Sequence, residues 1–103
     1  MRKAYDAFVS GFKAAGVVPT STSGFAWDPT AIVVSAYSKI GLDATAERIR
    51  DYIANLHDYD GINGAYDFNR DQHGLGDDSD VVVKWSPTHG DIVAASLPGG
   101  KPL

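Results

Sequence analysis

Helical periodicity runs through the first half of this chain and ends near Leu56, after which Gly61, Gly64, Gly74 and Gly76 punctuate short apolar stretches. That division constrains the fold most. Three amphipathic helices followed by two or three short strands lack the repeated β-α-β alternation of a complete parallel sheet. Few short strands make a thin platform for three helices, so apolar surface is expected to remain uncovered in an isolated monomer.

The first helix is legible in Tyr5, Phe8, Val9 and Phe12, which fall at i, i+3, i+4 and i+7. Gly16 is placed to stop it as the residue beyond the C-cap. Val17-Val18-Pro19 leads into a polar stretch, Thr20 to Gly24, expected as a loop. Asp28-Pro29 reads as the start of the second helix. Asp caps free N–H groups, and Pro at the first helical position loses nothing. Ile32, Val33, Ala36, Tyr37 and Ile40 would share one side of that helix, with Gly41 ending it. Asp43 or Thr45 then caps a third helix, with Ala46, Ile49, Ile53 and Leu56 as its apolar stripe and Glu47, Arg48, Arg50 and Asp51 on its wet face. The short connection predicts antiparallel neighbours.

Beyond the helices, Ala65–Phe68 is expected as a short strand. Val81–Trp85 is a strand by its β-branched content, and Asp91–Ala95 is its return, with Ser86–Gly90 as the turn. Trp85 is expected to pack under a helix. Residues 1–96 read as a single partial domain and 97–103, with two prolines and two glycines, as a loose tail.

The 103 residues carry a net charge of -4 without a Lys/Arg cluster, which argues against a nucleic-acid surface. There is no cysteine, so disulfides, thiolate-bound zinc and thiol catalysis are excluded. No G-x-S-x-G and no phosphate-binding glycine series occurs, so no catalytic residue and no cofactor is expected. Asp67, Asn69 and Asp71 have the opening spacing of a calcium loop. Gln72 stands where the turn needs Gly, and Asp78 where a bidentate Glu belongs. A solvated turn is the reading there, as it is for Asp77, Asp78 and Asp80. His57, His73 and His89 lack the spacing of a helical metal pair, so no metal site is expected.

Four segments together, YDAFVSGFKAAGVVP, GFAWDPTAIVVSAYSKIG, AERIRDYIANL and GINGAYDFNRDQHGLGDDSDVVVKW, carry a resemblance. Their order resembles the C-terminal end of a type I periplasmic solute-binding protein, in the branched-chain amino acid group that serves ABC importers. The resemblance implies an α/β fold of the periplasmic binding protein-like I type, present here only as part of the C-terminal lobe. It implies a small amino acid or carboxylate solute held between two closing lobes, and a membrane permease as partner. It also implies that the aromatic loop before the second helix supplies a wall of the solute pocket, which makes Phe25 and Trp27 the candidate ligand-binding residues. Asp28 lies beside that loop as a helix cap, with contact to a cation as the alternative.

The resemblance further implies a periplasmic location. Met1-Arg2-Lys3 opens like a signal peptide, but the segment from Ala4 is amphipathic, so a cytoplasmic location is expected if the chain is translated as it stands. The competing reading is a non-catalytic, self-associating module derived from such a receptor, its apolar face buried in a homo-oligomer.

Overall fold

The computed structural model describes residues 2–20 and 22–103. Three helices lead the chain: α1 (Arg2–Ala14), α2 (Ser23–Ile40) and α3 (Ala46–Ala54). Two separate two-stranded antiparallel sheets follow, β1 (Tyr59–Asp60) with β2 (Ala65–Tyr66), and β3 (Val83–Ser86) with β4 (Asp91–Ala94). The chain is thus a small α/β assembly of three helices and two short hairpins.

Helix α1 ends as its sequence dictates. Gly16 takes a φ of 68°, its N–H bonds the Lys13 carbonyl, and the Val17 N–H reaches back to the Phe12 carbonyl. This paired closure needs a left-handed residue at Gly16, which a Cβ would disfavour. Thr45 is the cap of α3, with its hydroxyl accepting from the Arg48 N–H. Arg48 bonds the Ile40 carbonyl and Tyr52 bonds Ser35, so partners run in opposite directions along the two helices. Helices α2 and α3 are therefore antiparallel neighbours.

The start of α2 departs from expectation. The helix begins at Ser23, so Asp28 and Pro29 lie inside it. The residues expected as loop organise the start instead. The Ser23 and Phe25 N–H groups bond the carbonyls of Thr20 and Thr22, and the Thr20 hydroxyl bonds those of Thr22 and Ser23. Ser21 lies outside the described residues. Pro29 is the seventh residue of this helix, so it withholds the N–H that the Phe25 carbonyl would accept and crowds that carbonyl, a cost of about 3 kcal/mol that the rest of the helix must offset.

The buried positions of α2 repeat every four residues: Gly24, Asp28, Ile32 and Ala36. Val33, expected on that side, is exposed, because the buried stripe is narrower than the apolar sequence. Among the described residues the buried apolar side chains are Phe8, Ile32, Ala36 and Tyr66. So thin a core does not close the molecule. Its radius of gyration is 15.9 Å, against about 13 Å for a compact domain of this length.

The C-terminal segment, expected as a loose tail, is exposed throughout and carries a few backbone bonds. Pro98–Gly100 forms a 3-10 turn, Ser96 bridges to Pro102, and the Gly99 N–H bonds the Asp80 carbonyl. Trp85 is exposed on β3 and does not lie under a helix.

Candidate functional site

Asp28 is the best-organised polar group in the chain. It projects from the second turn of α2 and is 1 % exposed. One carboxylate oxygen accepts from the Ile62 N–H at 2.9 Å. The other accepts from the Asn63 N–H at 2.9 Å, the Asn63 side-chain amide at 2.8 Å and the Tyr66 hydroxyl at 3.1 Å. Asn63 also donates to the Gly24 carbonyl one turn earlier on α2, at 2.9 Å. A single acidic side chain therefore clamps the β1–β2 loop onto the first two turns of α2. All four donors are neutral, and together they replace the water that the carboxylate gives up on burial.

The clamp requires Gly61. A Cβ there would stand 2.6 Å from both Asp28 Oδ2 and the Tyr66 ring. The loop backbone reaches the carboxylate only because that atom is missing. Burial raises the pKa of Tyr66 to about 12, and the adjacent Asp28 carboxylate works in the same direction. Burial and the same carboxylate also raise that of Tyr59. Tyr59 and Tyr66 meet edge to face across the β1–β2 pair, and Phe68 stacks on Tyr66. The Phe68 N–H bonds the Leu56 carbonyl, which ties this hairpin to the end of α3.

The sequence reading of Asp28 as a helix cap is corrected by this geometry. Asx-Pro is a local start signal, but here the helix has already run through Ser23 to Trp27, and the carboxylate turns outward from its own helix to another segment. Phe25 and Trp27 also stand differently. Neither is in a loop; both are in the first turns of α2. Two residues apart on a helix, they project about 200° from each other, so they do not share one wall.

Trp27 turns inward against α1, edge to face with Phe8 at 5.2 Å between ring centroids and tilted against Phe12 at 6.1 Å. It borders two open grooves. One, of about 380 Å³, lies between α1 and α2 and is floored by Phe12, Ala26, Ala31 and Val34. The other, of about 610 Å³, lies toward β1 and carries Lys3, Tyr59 and Asp60. Phe25 is 71 % exposed.

The acidic stretches are turns. Asp67 Oδ1 accepts from the N–H groups of Asn69 and Arg70, Asp71 accepts from that of His73, and Arg70 pairs with Asp78. No group of three or more His, Asp or Glu side chains converges on a metal position among the described residues. Ser86 Oγ lies 2.8 Å from His89 Nδ1, but this exposed pair closes the β3–β4 turn and borders neither groove.

Asn63, Tyr66 and Gly61 escape sequence reasoning as site residues. Their one local signal is the pair of glycines, Gly61 and Gly64, that brackets Asn63. No known protein family, curated protein or solved structure matches this chain.

Proposed function

We propose that these residues are a C-terminal part of a solute-recognition protein, resembling the receptors of ABC importers for branched-chain amino acids or related small carboxylates. The task is recognition without covalent chemistry. In the complete receptor the solute is held between two lobes that close around it, with closure driven by contacts made only in the closed state. Selectivity comes from apolar shape and a few fixed polar groups. On this reading the receptor works on the periplasmic side of the membrane, beside a permease.

The observation that carries the reading, beyond the order of its sequence segments, is Phe25. This large aromatic is 71 % exposed at the start of α2, on a turn that Asp28 and Asn63 hold rigidly. An aromatic ring that its own chain leaves uncovered suits the wall of a pocket completed by other residues. Trp27 serves the site from behind, by fixing α1 against α2.

The test is a thermal-shift titration of the chain with leucine-like amino acids, amides and aromatic acids. One solute class is expected to raise Tm saturably. Phe25→Ala is expected to abolish that rise while leaving the unliganded Tm within a few degrees, because the ring is exposed. Trp27→Ala is a poorer probe, since it also loosens α1. A cooperative melt that no solute moves would refute a solute site formed by this chain on its own.

A further inference from the structure

Asn63 is followed by Gly64, and the fold fixes both residues. The Asn63 amide nitrogen donates to Asp28 Oδ2 at 2.8 Å and to the Gly24 carbonyl at 2.9 Å, so position 63 needs a side chain with two donors on one nitrogen. A Cβ on Gly64 would stand 2.6 Å from Ser79 Oγ and 2.9 Å from Leu75 Cδ2, so position 64 has no room for a side chain. The pair that results is also the most reactive setting for an asparagine. The next backbone nitrogen attacks the side-chain carbonyl carbon, and a glycine puts no side chain in the path of that attack. Asn55 and Asn69 precede Leu56 and Arg70, whose side chains obstruct it.

We infer that Asn63 is a self-modification site, and that its conversion to a carboxylate unlatches the β1–β2 loop from α2. The Gly64 N–H gives up its proton to solvent, and its nitrogen bonds to Asn63 Cγ. The Cγ–Nδ2 bond breaks, Nδ2 takes up a proton and leaves as ammonia, and a cyclic imide closes. Water then opens the imide at either carbonyl, to aspartate or to isoaspartate with its extra backbone methylene. Both products carry a carboxylate in place of the neutral amide. A carboxylate has no proton to give to the Gly24 carbonyl, and it would face Asp28 across what is now a 2.8 Å contact. Like charges so placed repel strongly. The latch therefore does not re-form at neutral pH.

Clamp and reaction exclude each other. The backbone and side-chain N–H groups of Asn63 both bond Asp28 Oδ2, which fixes the side-chain torsions that cyclisation must be free to set. Departure of Nδ2 also requires it to give up both of its acceptors. The chemistry thus runs from the opened loop. Opening is reversible until Asn63 reacts and irreversible afterwards. The latch operates whether or not these residues recognise a solute.

Peptide-mapping mass spectrometry on the full chain, held at mildly alkaline pH with and without denaturing guanidinium chloride, tests this. Conversion at Asn63 is expected in both, slower by at least about tenfold in the folded chain, the factor that one charge-assisted hydrogen bond supplies. In denaturant Asn55 and Asn69 are expected to lag behind Asn63. Asn63→Asp carries the product's charge from the outset. At neutral pH its Ile62 amide, which bonds Asp28 in the clamp, is expected to exchange hydrogen at least about tenfold faster than in the wild type. Converted wild-type chain, separated by anion exchange, should match it. Equal conversion rates with and without denaturant would overturn the inference. So would an Asn63 that converts no faster than Asn55 or Asn69 in denaturant, or converted chain that keeps the original exchange at Ile62. The wild-type rates need no variant, so they decide the matter even where Asn63→Asp fails to fold.

Discussion

The β1–β2 hairpin and the β3–β4 hairpin differ in length in the direction opposite to their integration. The first has two residues per strand, yet one buried carboxylate accepts three hydrogen bonds from its loop and a fourth from Tyr66, which belongs to the core. The second has four residues per strand, a regular register and a well-formed turn, yet most of its side chains face water. Ladder length therefore says little about how firmly a hairpin belongs to a molecule. What integrates it is a long-range partner that cannot be replaced by water. Asp28 is that partner for β1–β2. Among the described residues, the Val82–Ser96 bond only extends the β3–β4 ladder, and the turn at Pro98–Gly100 bonds back to the Asp80 carbonyl through the Gly99 N–H.

The contrast can be broken most directly at Asp28. Asp28→Ala leaves four donors facing a void. Unpaired buried donors cost about 1–3 kcal/mol each, less than additively, so a loss of roughly 4 kcal/mol is expected. That is a large share of the stability of any small domain, and urea denaturation followed by circular dichroism should register it as a collapse of the midpoint. A shift below about 1 kcal/mol would show that the clamp is dispensable.

Gly61→Ala comes next. Its Cβ would meet Asp28 and Tyr66 at 2.6 Å, so the loop must lift. A loss of about 1–3 kcal/mol is expected, together with faster hydrogen exchange at the Ile62 and Asn63 amides.

Tyr66→Phe sharpens the electrostatic side. At neutral pH it removes one donor and costs about 1 kcal/mol. Its signature lies at high pH. The pKa of Tyr66 in the folded chain stands at about 12, above its ordinary value near 10. The folded state thus favours the neutral phenol. The stabilisation is fully present below pH ~10 and is lost as pH rises to ~12, on the order of 2 kcal/mol in the wild type. Chemical denaturation across that window should show a shallower decline in Tyr66→Phe. Tyr59, shifted in the same direction, leaves a residual slope. Identical slopes would remove Tyr66 from the alkaline response.

The smallest effect is expected in the other hairpin. Trp85→Ser should change the stability of the dilute chain by less than about 0.5 kcal/mol, as exposed substitutions usually do. A loss comparable to that of Gly61→Ala would mean that the hairpin is integrated after all, and the contrast would fail.

Several elements were readable from their residues. The stop of α1 at Gly16, the Thr45 cap and the turn at Ser86–Gly90 each rest on interactions within five residues. The start of α2 was not readable. Asp-Pro is a start signal only when nothing upstream is helical, and here the hydroxyls of Thr20, Thr22 and Ser23 organise an earlier start. Nor was β1, because two residues carry no period. Trp85 misled for a related reason. Hydrophobicity states a preference for burial and does not say whether the chain supplies a surface to bury against.

Sequence alone determined the local vocabulary of this protein: three amphipathic helices, the stop of α1, the cap of α3, and a β-branched hairpin with its turn. These are set by backbone hydrogen bonding and side-chain spacing among near neighbours. Tertiary structure decided that Asp28 is buried within a helix rather than capping one, and that Trp27 faces α1 while Phe25 faces solvent. The physical reason is sequence distance. The groups that satisfy Asp28 lie 34 to 38 residues away, and a buried carboxylate takes its meaning from whichever donors the fold brings to it.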